Sequence, residues 1–312
     1  MRKPKDYILL YLKGLSMGAA DVVPGVAGGT LAFITRIYDE LVYSLNAIDR
    51  ESVKLLVRRD TAGFWKKING NFLTAVFAGI LSSFLSLAKL MTYCLRQYPI
   101  LVLSFFFGLI LLSAPLLLRE IKNWNLAITL TFFAGVVVAF GVTLLSPMHT
   151  PDAWWFIFIL GILVVCATFL PGISGSLMLL VLGKYQFLVQ AVVNFNVLAL
   201  VIFVAGSMVG LFGFSRFLMW SLEKHRRATV ACLAGLMLGS LNKVWPWREV
   251  LEYATNRKGE QVPAFDKSIL PWNYFITTGK DPHVFQAIFM MALGVFIVFL
   301  IQKIAVRLNT TS

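Results

Sequence analysis

Val23-Pro24-Gly25-Val26-Ala27-Gly28-Gly29 recurs 147 residues later as Leu170-Pro171-Gly172-Ile173-Ser174-Gly175-Ser176. At the same offset Ala20 matches Ala167, Tyr38 matches Tyr185 and Leu41 matches Leu188. Each copy lies within apolar sequence, where proline and clustered glycine break a helix. In lipid, a broken helix leaves N–H and C=O groups unpaired, which is tolerated only where they are buried in protein or face a wet cavity. Breaks at corresponding places in two halves point to the binding site of a transporter.

Working outward, the match continues at an offset of 127: Ala78-Gly79 with Ala205-Gly206, Lys89 with Arg216, Gly108 with Gly235 and Ser113 with Ser240. The shorter offset means that extra residues follow the first motif. They are the charged stretch Asp49 to Lys67, expected as an amphipathic interfacial or cytoplasmic helix. Gly135 aligns more loosely with Gly294, and the second half carries its own insertion at 246–283, expected as a polar outer loop. Trp245, Trp247 and Trp272 suit that loop to a membrane interface.

Composition agrees with a membrane protein. Hydrophobic residues make up 58% of the 312, charged residues 14%, and the mean hydropathy is +0.78. Runs long enough to cross a hydrocarbon core of about 30 Å fall near 72–92, 100–118, 126–146, 196–219, 228–245 and 284–304. The net charge of +13 does not call for nucleic acid, because Lys and Arg gather beside spans rather than on one soluble face. The N-terminal Arg2, Lys3 and Lys5 resemble a signal-peptide n-region, but Lys13 interrupts the apolar run, so no cleavage is expected. Cys94, Cys166 and Cys232 are scattered in apolar context without metal or disulfide spacing and read as small buried hydrophobes.

Charge sets the topology. Segment 36–71 holds seven basic residues, among them Arg50, Arg58 and Lys66, and should be cytoplasmic. The 119–122 turn, the 220–227 loop with Lys224, Arg226 and Arg227, and the tail with Lys303 and Arg307 join it. The 147–153 loop, free of Lys and Arg, falls outside, as does 246–283. Segments 7–35 and 153–183 then each enter and leave on one face, the first cytoplasmic and the second outer. The expected fold is an all-α polytopic membrane protein built as an inverted repeat. Residues 1–150 form one re-entrant helical hairpin, the 36–71 insertion and three transmembrane helices. Residues 151–312 form the other hairpin, three spans and the outer loop. Both termini are expected on the cytoplasmic face.

The tips carry the candidate chemistry. Pro24 and Pro171 favour the first turn of a following helix, and the glycines permit close approach and positive φ. Helices starting near Val26 and Ile173 would present N–H groups and a positive dipole end to an anion. The candidate headgroup site is therefore Pro24, Gly25, Val26, Ala27, Gly28, Gly29 and Thr30 with Pro171, Gly172, Ile173, Ser174, Gly175 and Ser176. The competing reading is close helix packing through small residues. Asp21 is the acid nearest the first tip, a candidate proton or cation handle or a turn cap. Its counterpart, Thr168, can also cap. Lys89 and Arg216 pair by position near span ends, either as headgroup partners or as snorkelling anchors. Arg36, Tyr38, Lys184 and Tyr185 fit interfacial anchors better than ligands. Gly172-Ile173-Ser174-Gly175 also has the form of an intramembrane serine protease motif. However, His149, His225 and His283 fall in loops or at span ends, away from Ser174. No metal cluster, P-loop or dinucleotide fingerprint is present, and no cofactor is called for beyond coupling to a proton or sodium gradient.

Met17-Gly18-Ala19-Ala20-Asp21-Val22-Val23-Pro24-Gly25-Val26-Ala27-Gly28-Gly29-Thr30, followed by Ile37-Tyr38, resembles the signature of a prokaryotic membrane family long catalogued as a domain of unknown function. Leu170 to Ser176 with Gly183-Lys184-Tyr185 resembles its second signature. That family is associated with polyprenyl-phosphate, chiefly undecaprenyl-phosphate, translocation. The resemblance implies return of the carrier lipid from the outer to the inner leaflet for reuse in wall or surface-glycan synthesis. The expected partner is a membrane lipid with a phosphate headgroup. The sequence departs from the pattern at Ala27, where Ser is expected, and at Arg36, where a small residue is usual. Movement of a small soluble anion and an intramembrane lipid-phosphate phosphatase are the alternatives.

Overall fold

A computed structural model describes residues 2, 4–23, 26–145, 148, 150–151, 153–255 and 261–310. The chain order is α1 Pro4–Asp21, α2 Gly28–Ile34, α3 Tyr38–Asn46, α4 Arg50–Val57, α5 Thr61–Lys67, α6 Gly70–Gln97, α7 Pro99–Leu118 and α8 Leu126–Leu144. It continues through α9 Trp154–Phe169, α10 Gly175–Val181, α11 Tyr185–Val193, α12 Val197–Ser240, β1 Arg248–Thr255, β2 Gln261–Ser268, α13 Pro271–Thr278 and α14 Val284–Thr310.

Among the described residues five helices, α6, α7, α8, α12 and α14, are long and apolar enough to cross a membrane. With 44 residues, α12 would extend about 66 Å if straight, roughly two hydrocarbon thicknesses. It is not straight. His225 leaves helical φ/ψ, and the Ser221 and Thr229 hydroxyls, eight residues apart, meet at 2.6 Å. That contact requires the chain to fold back, so the charged loop expected at 220–227 is a tight turn within one helical element. The two arms of α12 correspond to the expected spans 196–219 and 228–245.

Four helix pairs meet by the same device. A side chain on Gly79 of α6 would collide with the Tyr11 carbonyl of α1, and one on Gly206 of α12 with the Phe158 carbonyl of α9. Gly108 of α7 lies equally close to Met291 of α14, and Gly235 of α12 to Phe132 of α8. Backbones pack this closely in lipid because small residues let dispersion contacts form without a hydrophobic driving force. The second span of each half thus pairs with the third span of the other half, which interlocks the two.

Ion pairs sort the loops to two ends. At one end Arg226 holds Asp39 at 2.8 Å and approaches Glu120 at 3.9 Å, while Arg2 holds Glu40 at 2.6 Å. The segments expected to share a face, 36–71, 119–122 and 220–227, do so. At the other end Asn242 donates to Thr143 at the close of α8. Beside it Lys243 and Arg248 both hold Asp266 at 2.6 Å.

The expectation of an all-α chain fails in the 246–283 insertion. There β1 and β2 pair antiparallel, Arg248 opposite Ser268 and Thr255 opposite Gln261. Arg248-Glu-Val-Leu-Glu-Tyr-Ala-Thr sets its apolar residues in adjacent pairs, Val250-Leu251 and Tyr253-Ala254, rather than at every second position, so no strand period shows in the segment. The hairpin is anchored by Trp247, Tyr274 and Ile100, which pack together, and by Trp245 Nε1, which donates to the Ile269 carbonyl at 2.7 Å.

Candidate functional site

Each motif lies between a long and a short helix. α1 and α2 form one hairpin and α9 and α10 the other, and both short helices have seven residues, about 10 Å, too little to cross a bilayer. Arg36 and Gly183 end the short helices at matching positions with φ of 57° and 64°. The left-handed conformation at both sites turns the chain into α3 and α11, and α10 and α11 meet at 107°. That backbone favours glycine, a physical reason for the small residue expected at position 36.

The carbonyls closing the short helices are capped from across each hairpin. Lys13 Nζ donates to the Thr35 carbonyl at 2.8 Å, where its cation also meets the negative end of α2. Thr150 Oγ1 donates to the Leu182 carbonyl at 2.6 Å, and buried Lys184 donates to the Thr150 carbonyl at 2.7 Å. Lys184 is 4% exposed and lies over the Phe156 and Phe187 rings. It therefore sits inside the protein, unlike a snorkelling anchor, whereas Tyr185 is exposed.

The two tips touch. The Gly172 N–H donates to Thr30 Oγ1 at 3.1 Å, and Gly29 packs against the Thr168 and Phe169 carbonyls. Tyr38, fully buried and stacked on Phe33, donates its hydroxyl to the Phe169 carbonyl at 2.8 Å. Tyr38 is thus a bolt between the hairpins. No local pattern betrays this reach of 131 residues.

Within each tip the same positions are in contact. Asp21 Oδ1 accepts the Gly28 N–H at 2.5 Å, and Thr168 Oγ1 lies against Gly175. Ser174 caps its helix by accepting the Leu177 N–H at 3.2 Å and bonds Ser176 Oγ at 3.2 Å. Ala27 gives α2 no side-chain cap, and Asp21 supplies the acceptor from the preceding helix instead. The N–H groups of Gly28, Gly172 and Leu177 are therefore held by the protein itself.

Exposure differs between the tips. Val26, Ala27, Gly28, Gly29 and Thr30 are buried, as are Pro171, Gly172, Ile173 and Ser174, whereas Gly175 and Ser176 are partly open and Thr168 is exposed. Pro24 and Gly25 lie outside the described residues. Lys89 and Arg216 are exposed on α6 and α12 and engage no acid among the described residues. Open clefts of about 550 and 700 Å³ occur near the two ends, and neither is lined by a tip residue. No group of three or more His, Cys, Asp or Glu suited to a metal exists among the described residues. Neither His225 nor His283 partners Ser174, and His149 is outside the described residues.

A family model described as undecaprenyl phosphate translocase-like (VCA0040-like) matches residues 17–262, most of the chain and both tips. The chain belongs to this family. Within the curated relatives, a polyprenyl-phosphate transporter of Vibrio cholerae serotype O1 is 43% identical over 303 residues, spanning 97% of this chain and 98% of the relative. A polyprenyl-phosphate transporter of Staphylococcus aureus is 34% identical over 254 residues, 75% of this chain and 85% of the relative. No solved structure matches the chain significantly. Membership in the translocase-like family and the five apolar helices together make this a multi-pass membrane protein, and the relatives are named as transporters rather than enzymes.

Proposed function

We propose that this member of the translocase-like family carries a polyprenyl phosphate, undecaprenyl phosphate in the first instance, from the outer to the inner leaflet of the bacterial cytoplasmic membrane. The observation that carries the reading is the Thr30–Gly172 contact. It joins the tips of the two hairpins, so that in the proposed alternating states one ligand position would face each end in turn. The names of the two relatives give the substrate class.

The fold behind this reading is an inverted repeat of two re-entrant hairpins with three spans each. It is supported by the recurrence of the glycine approaches at matching positions and by the opposite ends at which Arg2–Glu40 and Thr150–Leu182 close the hairpins. The basic residues of 36–71 and 220–227 support a cytoplasmic position for that end and, with it, for both termini.

The barrier to flipping such a lipid is its phosphate, with a charge of about −1.5 to −2 at neutral pH, while its tail can remain in the bilayer. At the second tip the Ser174 and Ser176 hydroxyls and the Gly175 and Ser176 N–H groups are the donors for that phosphate. Lys89 and Arg216 attend the headgroup at the two openings. At the first tip the Asp21 carboxylate already holds the Gly28 N–H and would repel a phosphate. Neutralising Asp21, by a proton or a sodium ion, removes the repulsion and ties the gradient to transport. Rocking of the interlocked halves about the tips exposes the site alternately.

The test is leaflet-resolved measurement of undecaprenyl phosphate in proteoliposomes with and without a pH gradient, together with free phosphate. Protein-dependent leaflet exchange without phosphate release supports translocation. Release of inorganic phosphate replaces it with the phosphatase, and uptake of soluble phosphate without lipid movement replaces it with the soluble-anion carrier.

A further inference from the structure

A continuous row of aromatic rings runs from the second tip along α12. Phe169 precedes the Leu170-Pro171-Gly172 break, and its ring lies 6.3 Å from Phe214; Phe214 lies 5.9 Å from Phe217, and Phe217 lies 6.1 Å from Trp220. The three α12 residues are spaced by three and form one stripe. Its outer part is open, Phe217 being 56% and Trp220 49% exposed. Arg216 is exposed beside it, and Gly213 leaves open space on the same stretch. At the far end Trp220 meets His225 at the α12 turn.

Interfacial aromatic residues are ordinary in membrane proteins, and Trp220 alone would be one. Phe217 and Phe214 lie about one and two turns deeper and connect it to the tip. Helix packing does not explain them either. The matching positions of α6 are Leu87, Leu90 and Tyr93, and α6 makes the same glycine-mediated approach to α1 that α12 makes to α9.

We propose that Phe169, Phe214, Phe217 and Trp220 seat the unsaturated hydrocarbon chain of the lipid whose phosphate occupies the tips. This rests on the translocation reading and adds what the tips lack. Hydroxyls, N–H groups and Arg216 can recognise a phosphate, but every phosphate-bearing lipid in the membrane has one. A polyisoprenoid differs in its chain, with a double bond and a methyl branch in each repeat. Those polarisable π bonds and allylic C–H groups stack on aromatic faces and edges with an attraction beyond area burial. A saturated alkyl chain has no π bonds to stack, and its C–H groups make weaker contacts with the rings. The row therefore selects the chain while Arg216 and the tip hold the headgroup next to it.

The experiment compares undecaprenyl phosphate with a saturated alkyl phosphate of equal carbon number in proteoliposomes. It uses wild type, F214L/F217L/W220L and the milder F217L/W220L, which spares the partly buried Phe214. Wild type is expected to prefer the polyprenyl lipid at least tenfold. The variants should lose that preference through a slower polyprenyl rate, with the alkyl rate unchanged. Retained preference, or equal loss on both lipids, overturns the proposal. Should wild type move neither lipid, translocation itself fails, and the row is then judged by labelling with a photoreactive polyprenyl phosphate. Labelling of α12 competed by polyprenyl phosphate but not by alkyl phosphate or phosphatidic acid supports the seat. Its absence, or equal competition by all three, overturns it.

Discussion

Thr30 and Gly172 are joined by a buried hydrogen bond of 3.1 Å between a hydroxyl of one hairpin and a backbone N–H of the other, 142 residues away. Neither group has water as an alternative. Thr30→Val keeps the shape and strands the N–H, which should cost about 1–3 kcal/mol, while Thr30→Ser should stay near wild type. Thermal unfolding in detergent measures this; a valine variant as stable as wild type would show that the bond contributes nothing.

Arg36 and Gly183 share a left-handed backbone but differ in surroundings. Arg36 is exposed, so Arg36→Gly should relieve strain and raise stability by about 0.5–1 kcal/mol, the steric gain exceeding the added chain entropy. A side chain at Gly183 would strike the Met148 carbonyl, so Gly183→Arg should unfold the second hairpin. Opposite shifts in melting temperature are expected, and shifts of the same sign would contradict the account.

The glycines at helix crossings should be intolerant. Gly79→Ala and Gly206→Ala place a methyl group into a neighbouring carbonyl and should cost about 1–3 kcal/mol or more through overpacking. Gly141 of α8 has nothing near its missing side chain, so Gly141→Ala should instead gain about 0.5–1 kcal/mol from helix propensity. Folded yield after purification separates the two classes.

Asp266 should make the docking of the β-hairpin sensitive to acid. Burial alone would raise its carboxyl, but the Arg248 hydrogen bond and the Lys243 and Arg248 charges outweigh that and hold it below the ordinary range. Its folded pKa is therefore depressed. The stabilisation is complete above the ordinary aspartate pKa of about 4 and is lost as pH falls through the lower folded value. Near-ultraviolet circular dichroism of the nearby Trp245 and Trp247 should stay constant from pH 7 to about pH 5 and change below about 4. Asp266→Asn should show the altered signal already at pH 7.

Asp21→Asn tests coupling apart from folding. Asparagine keeps an oxygen for the Gly28 N–H, so melting should change by less than about 1 kcal/mol, the net worth of one such bond. The response of lipid movement to a pH or sodium gradient should disappear. An unchanged response would reduce Asp21 to a turn cap.

The long spans were legible from sequence because apolar runs of bilayer length have few other uses, and α6, α7, α8 and α14 begin within two residues of their expected starts. The two tips were legible as well, since proline and glycine break a helix regardless of surroundings. The β-hairpin was not, because its strands lack a period of two: the apolar residues of Arg248–Thr255 come in adjacent pairs. Nor was the burial of Tyr38 and Lys184. Each follows aromatic and charged patterns that fit an interface, and only a contact with a distant backbone carbonyl draws it inward.

Sequence alone settled that the chain crosses a membrane and that it breaks twice at corresponding places, because hydropathy and backbone geometry are local properties. Which broken ends would meet was decided by tertiary structure. A hydrogen bond such as Thr30 to Gly172 depends on how glycine-lined helices cross, and crossing is set by many side chains at once. The asymmetry between the tips has the same origin: similar local motifs end up closed or partly open according to which helices cover them.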